Sequence, residues 1–158
     1  MARRHDYSEI TVTFFEKMAV LSKSQLCNQM DKKEIELIAP YFNTYKIDSG
    51  ATIYCEGDEE AFLFLIVSGS VNINKGNKHI STLGAGETIG EMTLIDELPR
   101  SADAVAATEV VLYAITRGRI NELHGKCIST WSKLFMNIAI CLSNRLRLTN
   151  ELLSQYMR

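Results

Sequence analysis

Gly90-Glu91-Met92-Thr93-Leu94-Ile95-Asp96-Glu97-Leu98-Pro99-Arg100-Ser101-Ala102 carries more chemistry than any other stretch of this 158-residue chain. Gly90, with Gly86 just upstream, lets the backbone come close to a ligand. A short helical turn after Gly90 would present free N–H groups to an anion. Arg100 can neutralise that anion with a forked set of donors. Pro99 stiffens the chain just before it. Ser101 and Ala102 are small enough to leave room, and the serine hydroxyl adds a donor. Glu91 is out of place beside an anion unless it accepts a hydrogen bond from a sugar hydroxyl. The competing reading is an internal ion pair between Glu91 and Arg100 that closes the loop. Such surface pairs are common and contribute little.

Outward from this run, residues 43–116 read as β-rich. Glycines at 50, 57, 69, 76, 84, 86 and 90 punctuate short strands. The runs Thr52-Ile53-Tyr54, Phe62 to Val67, Ser70 to Asn74 and Val110 to Ile115 are the clearest. Ser70-Val71-Asn72-Ile73-Asn74 alternates polar and apolar, as a half-buried strand does. Lys75-Gly76-Asn77 reads as a hairpin turn. Many short strands between glycine turns predict a sandwich or barrel.

The flanks are different. Residues 8–42 read as helical, from the spacing of Phe14, Phe15, Met18 and Leu21 and then of Ile35, Ile38, Ala39 and Phe42. Ser22 and Ser24 offer a cap before a short turn, and Asp31 with Glu34 three residues on forms a capping-box pattern. Residues 117–158 return to helix, with neither Gly nor Pro from Thr130 onward. Trp131, Leu134, Ile138, Cys141, Arg145, Leu148 and Leu152 step by three and four. Phe135, Leu142 and Leu146 lie beside them as a second apolar set. A helix with two such faces is expected to pack on its own domain and on a second copy, so a homodimer through this helix is expected.

Composition removes several classes. With 46% hydrophobic and 23% charged residues the chain is an ordinary globular protein. A net charge of −2 gives no basic excess for general nucleic-acid or membrane-surface binding. Only Ala2-Arg3-Arg4-His5 is locally basic, and it reads as a solvated tail. No apolar run approaches the ~20 residues of a membrane span, and no signal peptide is evident. A cytoplasmic protein is expected. Cys27, Cys55, Cys127 and Cys141 form no CxxC pair, so reduced, mostly buried thiols are expected. His5, His79 and His124 stand alone, which speaks against a metal site. No nucleophile elbow or Walker motif is present, and Gly84-Ala85-Gly86-Glu87 is too short for a dinucleotide fingerprint.

The Gly90–Ala102 run resembles the phosphate-binding cassette of the cyclic-nucleotide-binding domain family, which carries Gly-Glu, an apolar turn, and Arg followed by small residues. Gly50, Ile53, Glu56, Gly57 and Asp58 resemble that family's early strand and turn. Ile66-Val67-Ser68-Gly69-Ser70-Val71 resembles a strand–turn–strand in its barrel. The resemblance spans roughly residues 30–152. It implies that Glu91 holds the ribose 2′-hydroxyl and that Arg100 and Ser101 hold the cyclic phosphate, with backbone N–H groups near Ala102. Ile89, Gly90 and Met92 would line sugar and base, and Ile80 and Ser81 would face the base. Thr149 would meet the base from the long helix, Asn150 would reach across a dimer, and Arg145 would brace Glu91. Asp103, where many relatives carry an uncharged residue, would repel the phosphate if it faced inward. Strand alternation predicts that it faces out.

The expected fold is α+β: N-terminal helices (1–42), an antiparallel eight-stranded jelly-roll (double-stranded β-helix) barrel with the cassette (43–116), and a C-terminal helical segment (117–158), all one domain. The expected function is a non-catalytic sensor that binds a cyclic nucleotide, cyclic AMP first and cyclic GMP as the alternative. Ligand binding would reposition the C-terminal helix and act on a downstream protein partner. No cofactor, metal or membrane is expected. Direct DNA binding is not expected either, since the chain ends at Arg158 before any helix-turn-helix. The competing function is a dimeric interaction protein whose pocket is vestigial.

Overall fold

The computed structural model describes residues 7–158. The basic run Ala2-Arg3-Arg4-His5 lies outside the described residues. No helix among them is long and apolar enough to cross a membrane.

The described residues begin with a strand, β1 (Tyr7–Ile10), where the periodicity predicts helix. Its four residues pair antiparallel with β2 (Asn43–Ile47), and the Tyr7 ring packs edge-on against Tyr45. A partner from outside the local sequence therefore decides its state. Helix α1 (Phe14–Lys23) starts at Thr13, which exchanges capping-box hydrogen bonds with Glu16. Ser24 caps a single 3-10 turn, Gln25–Cys27, through the Leu26 N–H. Helix α2 (Lys32–Ile38) has the expected box between Asp31 and Glu34.

Eight further strands follow the jelly-roll pattern: β2, β3 (Thr52–Tyr54), β4 (Phe62–Ser68), β5 (Ser70–Lys75), β6 (Lys78–Gly84), β7 (Thr88–Ile89), β8 (Asp103–Ala106) and β9 (Val110–Thr116). They form two antiparallel sheets, ordered β1-β2-β9-β4-β7 and β3-β8-β5-β6. The sheets face each other in the jelly-roll arrangement expected from sequence, without joining into a closed barrel. The hairpin at Gly76-Asn77 sits in the expected place, with Lys75 opposite Lys78. Gly69 turns β4 into β5 at φ +83, and an added Cβ would lie 2.1 Å from the Glu109 carbonyl oxygen. No other residue fits there.

Burial explains why Phe62 to Val67 is apolar throughout rather than alternating. Phe64 and Ile66 point into the core between the sheets, with Ile47, Ile53, Val71 and Leu112. Leu63 and Leu65 point the other way, into a second core with Leu21, Ile38, Tyr113 and Ile115. The larger sheet is thus covered by its partner sheet on one face and by helices on the other.

Helices α4 (Arg117–Lys126) and α5 (Ile128–Tyr156) complete that outer layer. Leu134 and Ile138 of α5 are fully buried. Asn137 donates to the carbonyls of Leu26 and Asn28, both at 2.8 Å, which pins α5 to the 3-10 turn. Beyond Leu142 the helix is nearly bare, and Leu146, Leu148, Leu152 and Leu153 are exposed. Of the cysteines only Cys27 is buried; Cys55, Cys127 and Cys141 are partly exposed, contrary to expectation. The last two sit at the start and on the flank of α5, where one helix face stays open.

Candidate functional site

A cavity of about 850 Å³ lies between the cassette, the β6 strand and α5. One wall is built by the turn out of β7. Gly90 adopts φ +83 and passes the chain into α3 (Glu91–Asp96). An added Cβ would lie 2.5 Å from both Arg100 Nη1 and the Phe62 carbonyl oxygen. Gly90 is therefore required by a close approach as well as by its backbone angle.

Arg100 is only 4% exposed. Nη1 donates to Gly90 O at 2.8 Å and Nη2 to Phe62 O at 2.9 Å. Its guanidinium lies 4.3 Å over the Tyr54 ring. Burial lowers its pKa, and Tyr54 and Glu91 oppose that shift. Glu91 is 2% exposed and pairs through Oε1 with Arg145 Nη1. Arg145 also donates from Nη2 to Thr88 O at 2.7 Å, so α5 is tethered to the cassette at this point. Burial pushes the Glu91 carboxyl above the ordinary carboxylate range, and Arg145 works against that rise.

Two buried polar atoms here have no partner among the described residues: Glu91 Oε2 and Arg100 Nε. One is an acceptor and the other a donor. Unpaired buried polar atoms are rare and call for an explanation. No ion pair joins Glu91 to Arg100 among the described residues, so the loop-closing pair is not the arrangement found; each residue has its own partners.

Ten of the eleven residues singled out from sequence line this one cavity: Ile80, Ser81, Ile89, Gly90, Glu91, Met92, Arg100, Ser101, Ala102 and Thr149. Asn150 does not; it is exposed on α5. Asp103 is outside the cavity, and its Oδ1 accepts the Glu56 N–H at 2.7 Å. Sequence reasoning missed Tyr54, which lies under Arg100, and Leu148 and Leu152, which face the cavity from α5. Leu148 and Leu152 were visible only as members of an apolar stripe.

The sequence pattern described as Cyclic nucleotide-binding domain matches residues 45–127, more than half of the chain. The chain belongs to the cyclic-nucleotide-binding domain family. The domain is 33% identical over 129 residues to the Cyclic AMP receptor protein of Thermus thermophilus, covering 78% of this chain and 58% of that protein. Its fold is similar to a cyclic nucleotide-binding domain from Methylobacillus flagellatus, with a TM-score of 0.83, 26% identity, and 92% and 86% of the two chains covered. The Thermus thermophilus Catabolite Activator Protein gives 0.71 at 30% identity, over 85% of this chain and 63% of that one. The domain therefore spans less than two thirds of these two Thermus relatives. Thr149 and Asn150 lie past residues 45–127, the part that the family pattern matches.

Proposed function

We propose that this domain binds a cyclic purine nucleotide, cyclic AMP first and cyclic GMP as the alternative, and that the ligand repositions α5 without catalysis. The observation that carries this reading is the unpaired acceptor on Glu91 and the unpaired donor on Arg100 in one cavity wall. A cyclic nucleotide offers the complement of both: a ribose hydroxyl to donate and a phosphate oxygen to accept. Glu91 takes the 2′-hydroxyl. Arg100, Ser101 and the backbone near Ala102 take the cyclic phosphate. Ile89, Gly90 and Met92 lie against sugar and base, Ile80 and Ser81 against the base, and Thr149 meets the base from α5. Asn150 serves a second copy across a homodimer.

A specific observation favours the competing reading, an interaction protein with a vestigial pocket. Both Arg100 Nη groups are already engaged by carbonyls, as in an arginine that only braces its loop. Thermal unfolding with cyclic AMP, cyclic GMP and 5′-AMP separates the two. A ligand at 100 times its Kd adds about 2.7 kcal/mol, which at ~2–4 °C per kcal/mol is a shift of several degrees. The proposed function requires that shift with a cyclic nucleotide and none with 5′-AMP. A well-folded sample that shifts with none of them leaves the vestigial reading.

A further inference from the structure

We infer that Lys75, at the end of the β5–β6 hairpin, is a positioning residue for the anion loop: its ammonium holds the Ser101 carbonyl and thereby aims the Ala102 N–H into the cavity. The inference rests on the nucleotide-binding function proposed above and assigns it a residue outside the cassette.

Lys75 Nζ donates to Ser101 O at 2.7 Å and pairs with Glu56 Oε1. Lys75 does not line the cavity, whereas Ser101 and Ala102 do. In a planar trans peptide the C=O and the following N–H point in opposite directions. A carbonyl drawn out toward Lys75 therefore turns the Ala102 N–H away from Lys75, toward the cavity side. The preceding peptide is held in the same way. Gly57 N–H donates to Arg100 O at 2.8 Å, which turns the Ser101 N–H away from the 55–58 turn. Neither the Ser101 nor the Ala102 N–H donates a hydrogen bond within the described residues. Two successive unpaired N–H groups in a bend form a concavity that suits an anion.

The outer support is itself tied together. Glu56 holds Lys75 by its carboxylate and Asp103 by its N–H, and Asp58 O accepts the Arg100 N–H at 2.8 Å. Asp103, the residue that looked adverse to an anion, thus belongs to the scaffold behind the loop. The Lys75–Glu56 pair is half-exposed on both sides, so it contributes little to stability. Its effect falls on the orientation of one peptide.

Lys75→Met keeps the stem and removes the donor; Lys75→Arg keeps the donors. In the ligand-free protein, the Ser101 carbonyl carbon and Ala102 amide NMR resonances should move in Lys75→Met and much less in Lys75→Arg. In titrations with cyclic AMP, Lys75→Met should bind about tenfold more weakly, the scale of one charge-assisted hydrogen bond. The two phosphorothioate diastereomers of the ligand supply the readout that a merely structural role does not move. Wild type should discriminate between them, because sulfur is a poor acceptor for the aimed N–H, and Lys75→Met should bring the ratio toward unity. Unmoved resonances overturn the inference whatever the protein binds. A wild type that binds nucleotide, beside a Lys75→Met with unchanged affinity and unchanged discrimination, overturns it while the function stands. A wild type that binds no cyclic nucleotide overturns the function and with it this role.

Discussion

Glu91 holds a buried carboxyl in contact with one arginine, with its second oxygen unpaired. Its pKa in the folded state is raised, chiefly by burial, from an unfolded value near the ordinary ~4.3. Between those two values the folded protein binds more protons at this site than the unfolded chain does. Stability at this site is therefore complete below the ordinary carboxylate value and falls as pH rises through the raised one. Glu16 and Glu34, whose pKa values are lowered chiefly by hydrogen bonds from Thr13 and Lys133, act in the opposite sense: their contribution is lost as pH falls. Glu91→Gln cannot titrate. Urea unfolding across the acid-to-neutral range should give a wild-type-minus-variant difference that declines with rising pH above ~4.3. A flat difference would mean that burial does not perturb this carboxyl. Glu91 and Arg100 are legible in the sequence because both lie in one short run of unusual chemistry. Tyr54 is not, since only the β3–β8 pairing carries the neighbouring strand to Arg100.

At the scale of elements, the short strands and glycine turns are legible because strand alternation and turn chemistry are local. The division of the strands between two sheets and the strand β1 are not, since each depends on partners distant in sequence. The anchoring of α5 depends on such a partner as well. Asn137 falls between the apolar residues of the stripe, and its role appears only where the 3-10 turn presents two carbonyls to it. Asn137→Ala strips both carbonyls of their donor in a buried setting. It should destabilise the protein by about 1–3 kcal/mol, the penalty for buried groups left unpaired. It should also loosen α5 against the turn, read as faster hydrogen exchange on both sides of the contact. Unchanged stability would mean that water replaces the side chain without penalty.

Across the whole molecule, α5 carries two stripes one residue apart. Cys141, Arg145, Leu148 and Leu152 face the cavity. Phe135, Leu142, Leu146 and Leu153 are spaced by seven, four and seven, a coiled-coil spacing. The first two of these pack partly against the helical core, while Leu146 and Leu153 are exposed at 61% and 53%. An exposed apolar stripe of this kind is the expected seam for a second copy of α5. Neighbouring stripes on a rigid helix cannot move independently, so the seam and the cavity wall shift together. In a dimer formed through this stripe, a ligand that prefers one α5 position would also prefer one state of the dimer. Leu146→Glu puts a charge into the seam without touching the cavity stripe. Light scattering should report a dimer for wild type and a monomer for the variant, and calorimetric titration should report weaker cyclic nucleotide binding by the variant. A monomeric variant with wild-type affinity would uncouple the two stripes and leave α5 as a wall rather than a lever. A variant that stays dimeric would place the interface elsewhere on the chain.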